Sequence, residues 1–320
     1  MLSTWRRCEC LGTKPQESDF VAGLVVESTP IIYSALKSVL SPRRVSVSMA
    51  AVFCHQKPEV GFGSRACELG DILFAYFHTP KTGPARRNAI LFQAKTSSQQ
   101  TYRIRSKEER NQLRLYLGWP DFVYQRSSFL TGLKRSVTPK APHAGAQYML
   151  IDNRSPEQPM SGLLGFPGSY PIGCCMPDEL LYQHSDLASE LFDLFIFLTG
   201  RPFDDRQTAV KRGDWPQVVW DLLETGLRKI FNRKNSGRVC ISRIVGEPIG
   251  ALDGVSFSRA SSLLSCTTAT DIVGHDAARS IYGQDNDGPP VNRDGDGGSK
   301  EPEQGVSLVL IETAEHESEG

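Results

Sequence analysis

Two apolar runs of similar length, Asp71-Ile-Leu-Phe-Ala-Tyr-Phe77 and Asn88-Ala-Ile-Leu-Phe-Gln-Ala-Lys95, flank the turn-rich segment His78-Thr-Pro-Lys-Thr-Gly-Pro-Ala-Arg-Arg87. Short runs of aliphatic and aromatic residues bounded by Pro80, Gly83 and Pro84 read as a β-hairpin with a long loop. In an antiparallel pair, a turn centred near Gly83 puts Asp71 opposite Lys95 and Leu73 opposite Gln93. Alternation then gathers Asp71, Gln93 and Lys95 on one face at the open end of the hairpin, with Ile72, Phe74 and Phe92 on the other.

The segments around the hairpin set the fold class. Ser106 caps a helix over Lys107–Gly118, closed by Gly118 and Pro120. Upstream, Thr29 and Pro30 start a helix of about residues 30–40, with Ile32, Leu36, Val39 and Leu40 on one face. Val45, Val47 and Met49 alternate with serines into a strand that Pro58, Gly61 and Gly63 break. Downstream, Gln147–Ile151, Val239–Val245 and Val306–Ile311 read as strands. Leu187–Leu198, apolar nearly all round, and Trp215–Phe231 read as helices. The expectation is an α/β protein with a mixed β-sheet, flanking helices, a helical C-terminal region and a disordered acidic linker.

A chain of 320 residues is long enough for one decorated domain or two. Composition shifts divide it into a basic core over 1–145, a helical and strand extension over 146–282, a polar linker over 283–304, and a strand with an acidic tail over 305–320. Overall charge is balanced, with 36 Lys+Arg and 36 Asp+Glu. The balance conceals an asymmetry: residues 1–145 hold 21 Lys+Arg against 10 Asp+Glu. A basic half fits a polyanionic partner.

Several classes lose their cheapest support. No run of about 18 consecutive apolar residues is present, and the N-terminus lacks a signal-peptide core, so a cytoplasmic protein without a membrane partner is expected. The eight cysteines include no C-x-x-C pair and read as buried thiols. No H-x-x-x-H, G-x-S-x-G, P-loop or dinucleotide motif appears. Asp285, Asp287, Asp294 and Asp296 lack the final Glu of a calcium loop and read as linker.

Gly70-Asp71 opening an apolar strand, then a strand ending in Gln93-Ala94-Lys95, then a helix, resembles the PD-(D/E)XK nuclease superfamily of the restriction-endonuclease-like fold. It resembles in particular the Gln-x-Lys variant seen in Mrr-type restriction endonucleases. The resemblance spans roughly Glu59–Gly118, without the usual proline before Asp71. It implies Asp71 as metal ligand, Gln93 as metal or water ligand, and Lys95 as the group that orients the attacking water and stabilises the phosphorane. The upstream helical acid is left between Glu59 and Glu68.

The chemistry agrees with these residue types. Phosphodiester hydrolysis uses a hard cation, Mg²⁺ or Mn²⁺, held by carboxylate and carbonyl oxygens, which Asp71, Glu68 and the Ala94 carbonyl supply. Arg86, Arg87, Arg103, Arg105, Arg110 and Arg114 are the expected phosphate contacts. The expected activity is DNA endonuclease action on double-stranded DNA, in restriction or another anti-invader role, by a protein able to form a homodimer. The rivals are a catalytically inactive nucleic-acid-binding module and a non-enzymatic interaction protein, in which Asp71 and Lys95 form an ordinary cross-strand ion pair. Trp119-Pro120-Asp121-Phe122-Val123-Tyr124, with Tyr116, reads either as a base-stacking surface or as an anchor in the core.

Overall fold

The computed structural model describes residues 2–10, 12–54, 58–127, 130–154, 172–212, 214–231, 242–245 and 305–316. In chain order, helices α1 (Leu2–Cys10), α2 (Glu17–Val26) and α3 (Ser28–Leu40) lead into strand β1 (Val45–Val52). A small hairpin, β2 (Glu59–Phe62) and β3 (Arg65–Glu68), precedes the central pair, β4 (Ile72–Thr79) and β5 (Arg86–Ser97). Next come β6 (Thr101–Arg103), α4 (Lys107–Gly118), β7 (Phe122–Arg126), β8 (Lys134–Arg135) and β9 (Ala146–Asp152). The later elements are β10 (Ile172–Cys175), β11 (Leu180–Tyr182), β12 (Ser185–Asp186), α5 (Leu187–Phe195) and β13 (Arg201–Pro202). Helices α6 (Arg206–Arg212) and α7 (Trp215–Phe231) and strands β14 (Ser242–Val245) and β15 (Ser307–Glu315) complete the described chain.

The architecture is mixed α/β. A nine-stranded sheet runs β12-β10-β9-β5-β4-β15-β1-β14, with β13 also paired to β5. β4 and β5 are antiparallel, while β9 runs parallel to β5 and β15 parallel to β4. A second, four-stranded sheet has the order β3-β2-β7-β8. Alternation along the central strands feeds two separate cores. Leu73, Ala75, Phe77, Ala89 and Leu91 pack on one face with residues of α4, α7 and the small sheet. Ile72, Phe74, Tyr76, Ile90 and Phe92 pack on the other with residues of α2 and α5. Each fully buried side chain of this size contributes about 1.5–3 kcal/mol.

Several expectations are corrected. Ile72 pairs with Phe92 and Leu73 with Leu91, which places Asp71 opposite Gln93 instead of Lys95. The difference is two residues in the partner, so no side chain changes face. Thr29 does not cap a helix; its hydroxyl donates to the Val25 carbonyl at 2.6 Å, because helical backbone continues through Glu27 from α2 into α3. Val39 is exposed. The segment after Pro58 forms β2 and β3, turning at Gly63 with φ +58°, where a glycine is favoured. The left-handed residue closing α4 is Trp119, not Gly118. α5 ends at Phe195, and Phe192, Ile196 and Leu198 face solvent.

Helices α2 and α3 form part of one stretch, Glu17–Arg43, long and apolar enough to cross a membrane by length and composition. Its apolar residues are interrupted by small and polar ones, so a search for an unbroken run missed it. In this fold Phe20, Val21, Leu24 and Val25 are buried in the core beside β1 residues. The C-terminal strand is longer than expected, and Glu312–Glu315 belong to it rather than to a tail. The linker over 283–304 lies outside the described residues.

Candidate active site

The open end of the central hairpin is built by a carboxylate that continues the strand pairing. Asp71 N–H donates to the Phe92 carbonyl at 2.9 Å. The Ala94 N–H then donates to Asp71 Oδ2 at 2.7 Å. The N–H and C=O of one strand residue point to the same edge, so the Ala94 carbonyl lies on the Asp71 side. Gly70 lets this corner close: a Cβ there would stand 2.8 Å from Leu91 and 3.1 Å from the Tyr116 hydroxyl. That hydroxyl donates to the Leu69 carbonyl at 2.8 Å and ties α4 to the same corner.

Helix α4 is held by a complete capping box between Ser106 and Glu109. Its inward face carries polar residues that bind the neighbouring strand. Asn111 Nδ2 donates to the Ala66 carbonyl at 3.1 Å, and Gln112 Nε2 donates to the Glu68 carbonyl at 3.1 Å. Gln112 Nε2 also donates to Gln93 Oε1. A carbonyl only accepts, so the Glu68 contact fixes the Gln112 amide, which in turn fixes that of Gln93. Gln93 therefore turns its Nε2 toward the Ala94 carbonyl, 3.5 Å away. In this arrangement Gln93 offers no oxygen beside Asp71, contrary to its expected role as a metal ligand.

Lys95 reaches across to two carboxylates from different helices. Its Nζ lies 3.7 Å from Glu17 Oε2 and 3.8 Å from Glu109 Oε1, with no closer partner among the described residues. Glu17 Oε1 also accepts from the Thr96 N–H at 3.2 Å. Burial pushes the Asp71 carboxyl up to about 7; the Ala94 N–H and Lys95 oppose this, while Glu68 and Glu17 reinforce it. Burial also works against Glu109, yet hydrogen bonds from the Tyr102 hydroxyl and the Arg105 and Ser106 N–H groups, with Lys95, hold it at about 2.

Gln93, Lys95, Glu68 and Gln112 line a cleft of about 760 Å³, with Lys107 and Arg126 as further cations. Asp71 is not among the lining residues. Glu59 lies in the same cleft, paired with Arg126 at 3.5 Å.

The expected arginine set does not stay together. Arg103, Arg105, Arg110 and Arg114 are exposed on or near α4, whereas Arg86 and Arg87 lie at the closed end of the hairpin. Six residues of strand separate Arg87 from Gln93, about 20 Å. Arg86 stacks over Phe197 at 3.7 Å. The base-stacking reading of the aromatic stretch is overturned, because Tyr116, Trp119, Phe122 and Tyr124 are fully buried. Cys174 and Cys175 fall in opposite cores and hold no ligand jointly.

Sequence reading missed Glu17, Glu109, Gln112 and Tyr102. Glu109 and Gln112 had a signal, being polar residues three apart on the inward side of a capped helix. Glu17 had none, since only tertiary structure brings it to Lys95.

The donor set fits Mg²⁺ or Mn²⁺ sparingly. Asp71 Oδ1 accepts no hydrogen bond from the described residues, the Ala94 carbonyl lies beside it, and Glu68 adds negative charge. Among the described residues no three His, Cys, Asp or Glu side chains form a metal-holding group. Such a cation would keep most of its waters, as Mg²⁺ commonly does. No family model, curated protein or solved structure matches the chain.

Proposed function

We propose that this chain is a metal-dependent nuclease that hydrolyses phosphodiester bonds in nucleic acid, on a restriction-endonuclease-like core. The observation that carries the reading is the convergence of Asp71, the Ala94 backbone and Lys95 at the open end of one hairpin. The helix that follows the hairpin, α4, agrees with the strand, strand and helix order on which the PD-(D/E)XK resemblance rests.

Asp71 and the Ala94 carbonyl are the protein ligands for the cation, with Glu68 beside them. A divalent cation held there supplies charge neutralisation on the phosphate and a more acidic bound water. Lys95 donates to the phosphate or orients the attacking water, and the carboxylates of Glu17 and Glu109 set where its ammonium stands. Glu17, on a helix upstream of the hairpin, takes the place sought in Glu59 or Glu68. Ligation by Gln93 requires its amide to leave Gln112.

A second reading has its own support: the closed Gln93–Gln112 pair and the lysine between two acids also suit a binding module without catalysis. Supercoiled plasmid and single-stranded DNA incubated with Mg²⁺, Mn²⁺ or EDTA separate the two. The nuclease reading expects cleavage that needs metal and that falls about 10²- to 10³-fold or more in both Asp71→Ala and Lys95→Ala. Cleavage unchanged in either variant removes the assignment.

A further inference from the structure

The candidate site is recessed, with Gln93 3% and Lys95 8% exposed in a cleft of about 760 Å³. Beside it, β6 and β11 pair as a separate two-stranded ribbon, with Leu180 opposite Arg103, Leu181 opposite Tyr102 and Tyr182 opposite Thr101. Opposed residues share a face and successive ones alternate, so Tyr182, Leu180, Arg103 and Thr101 lie together. Leu181 and Tyr102 take the other face. Leu181 is fully buried, and the Tyr102 hydroxyl donates to Glu109 Oε1 at 2.5 Å. That is the carboxylate oxygen facing Lys95, so the ribbon is fixed directly to the site.

The outward face of the ribbon is unlike a core surface. Tyr182 is 66% exposed, with Leu180 and the nearby Met176 also exposed. Arg103 on the same face, and Arg105 and Arg110 beyond it, are exposed as well. Asp178 and Glu179 precede Leu180, so attraction for phosphate comes from those arginines rather than from the ribbon as a whole. An exposed ring on a fixed strand, beside guanidinium groups, is a platform on which an unpaired base stacks with little further ordering.

Resting on the nuclease reading, we infer that the substrate is single-stranded nucleic acid or the unpaired end of a duplex, with a base outside the cleft stacked on Tyr182, on the ribbon face that carries Arg103. A duplex keeps its bases inside the stack and offers Tyr182 nothing. A single strand with one phosphate toward Lys95 leaves a base further along it free for the outward face of the ribbon. Single-stranded substrate takes the place of the double-stranded DNA expected from the sequence.

Binding and cleavage are tested separately on the full chain. In EDTA, fluorescence anisotropy compares a labelled single-stranded oligonucleotide with the same sequence as a blunt duplex. The expected result is at least about 10-fold tighter binding of the single strand. Tyr182→Ala weakens that binding about 5- to 100-fold without changing duplex binding, and Tyr182→Phe retains it. Equal affinity for the two nucleic acids, or no effect of Tyr182→Ala, overturns the inference even if metal-dependent cleavage occurs. With Mg²⁺, preferential cutting of single-stranded or tailed substrates supports it. Tyr182-dependent binding with no cleavage in Mg²⁺ or Mn²⁺ overturns the nuclease reading and leaves the stacking surface standing.

Discussion

Two clusters bring a cation against carboxylates below the surface, and they are completed differently. Between β8 and α7, Arg135 holds Asp221 through bonds of 2.6 and 2.9 Å, and the Tyr124 hydroxyl adds a third at 3.1 Å. At the open end of the central hairpin, Lys95 stands 3.7 and 3.8 Å from Glu17 and Glu109 beside a cleft. The bidentate pair uses its geometry fully on its partner, whereas the looser one leaves ammonium protons for another acceptor. Saturation of the bonds, rather than burial or charge, separates the ion pair that fastens the fold from the one with donors to spare.

The strongest test of this contrast is stability. Asp221→Ala strands Arg135 and is expected to cost about 3–5 kcal/mol in urea unfolding, while Lys95→Ala costs well under half of that. Equal losses would break the comparison. The next effect follows pH. Asp71 titrates at about 7 when folded against 3.8 as its ordinary value, so between those values the folded state holds a proton the unfolded chain has lost. Stability in EDTA therefore falls as pH rises from about 4 to 7. Asp71→Asn removes that loss, and its advantage over the native chain at pH 8 relative to pH 4 is expected to be about 2 kcal/mol, less than the full shift because solvent screens the charge of a half-buried residue.

Smaller effects sharpen the division. Gln93→Glu keeps one oxygen on Gln112 and turns the second toward the Ala94 carbonyl, where an amide nitrogen now stands. Titration calorimetry is expected to show Mn²⁺ binding tightened about 10-fold, or about 1.4 kcal/mol. Weaker binding would place the cation elsewhere. Smallest of all, Arg86→Ala and Arg87→Ala at the closed end are expected to change oligonucleotide affinity by less than about 3-fold, because the strand carries both about 20 Å from Gln93. A larger loss would mean that nucleic acid runs the length of the hairpin.

Local patterns carried the parts of the fold that local physics decides. The strands of the central hairpin, the Ser106 cap and the shared facing of Gln93 and Lys95 are legible because apolar alternation and capping act within a few residues, whereas Asp71 turns its carboxylate to the Ala94 N–H and stays out of the cleft. The register was displaced because the pairing centres on Thr82 rather than on Gly83. Arg86 and Arg87 were grouped with the site because a charge count has no coordinates, and the strand carries them to its far end. Tyr116, Trp119 and Tyr124 looked like a nucleic-acid surface from their arginine neighbours, yet the helix turns the rings inward and the guanidiniums outward. Glu17 and Tyr182 reach the site region only through tertiary packing, which no spacing encodes.

β15 has a further consequence. It lies between β1 and β4, hydrogen-bonded on both sides, and joins partners as remote as Tyr76 and Thr313, 237 residues apart. The sheet is two partial sheets closed by one inserted strand, and loop-closure entropy makes that closure a late event. A chain lacking residues 305–316 would present a slot with a main-chain edge on each wall and apolar side chains above and below. Such a slot is a receptor for a peptide of matching sequence, as in strand complementation between proteins. Cutting the chain before β15 and supplying Gly305–His316 separately would turn folding itself into a bimolecular, titratable event, with any activity of the hairpin site reporting occupancy of the slot.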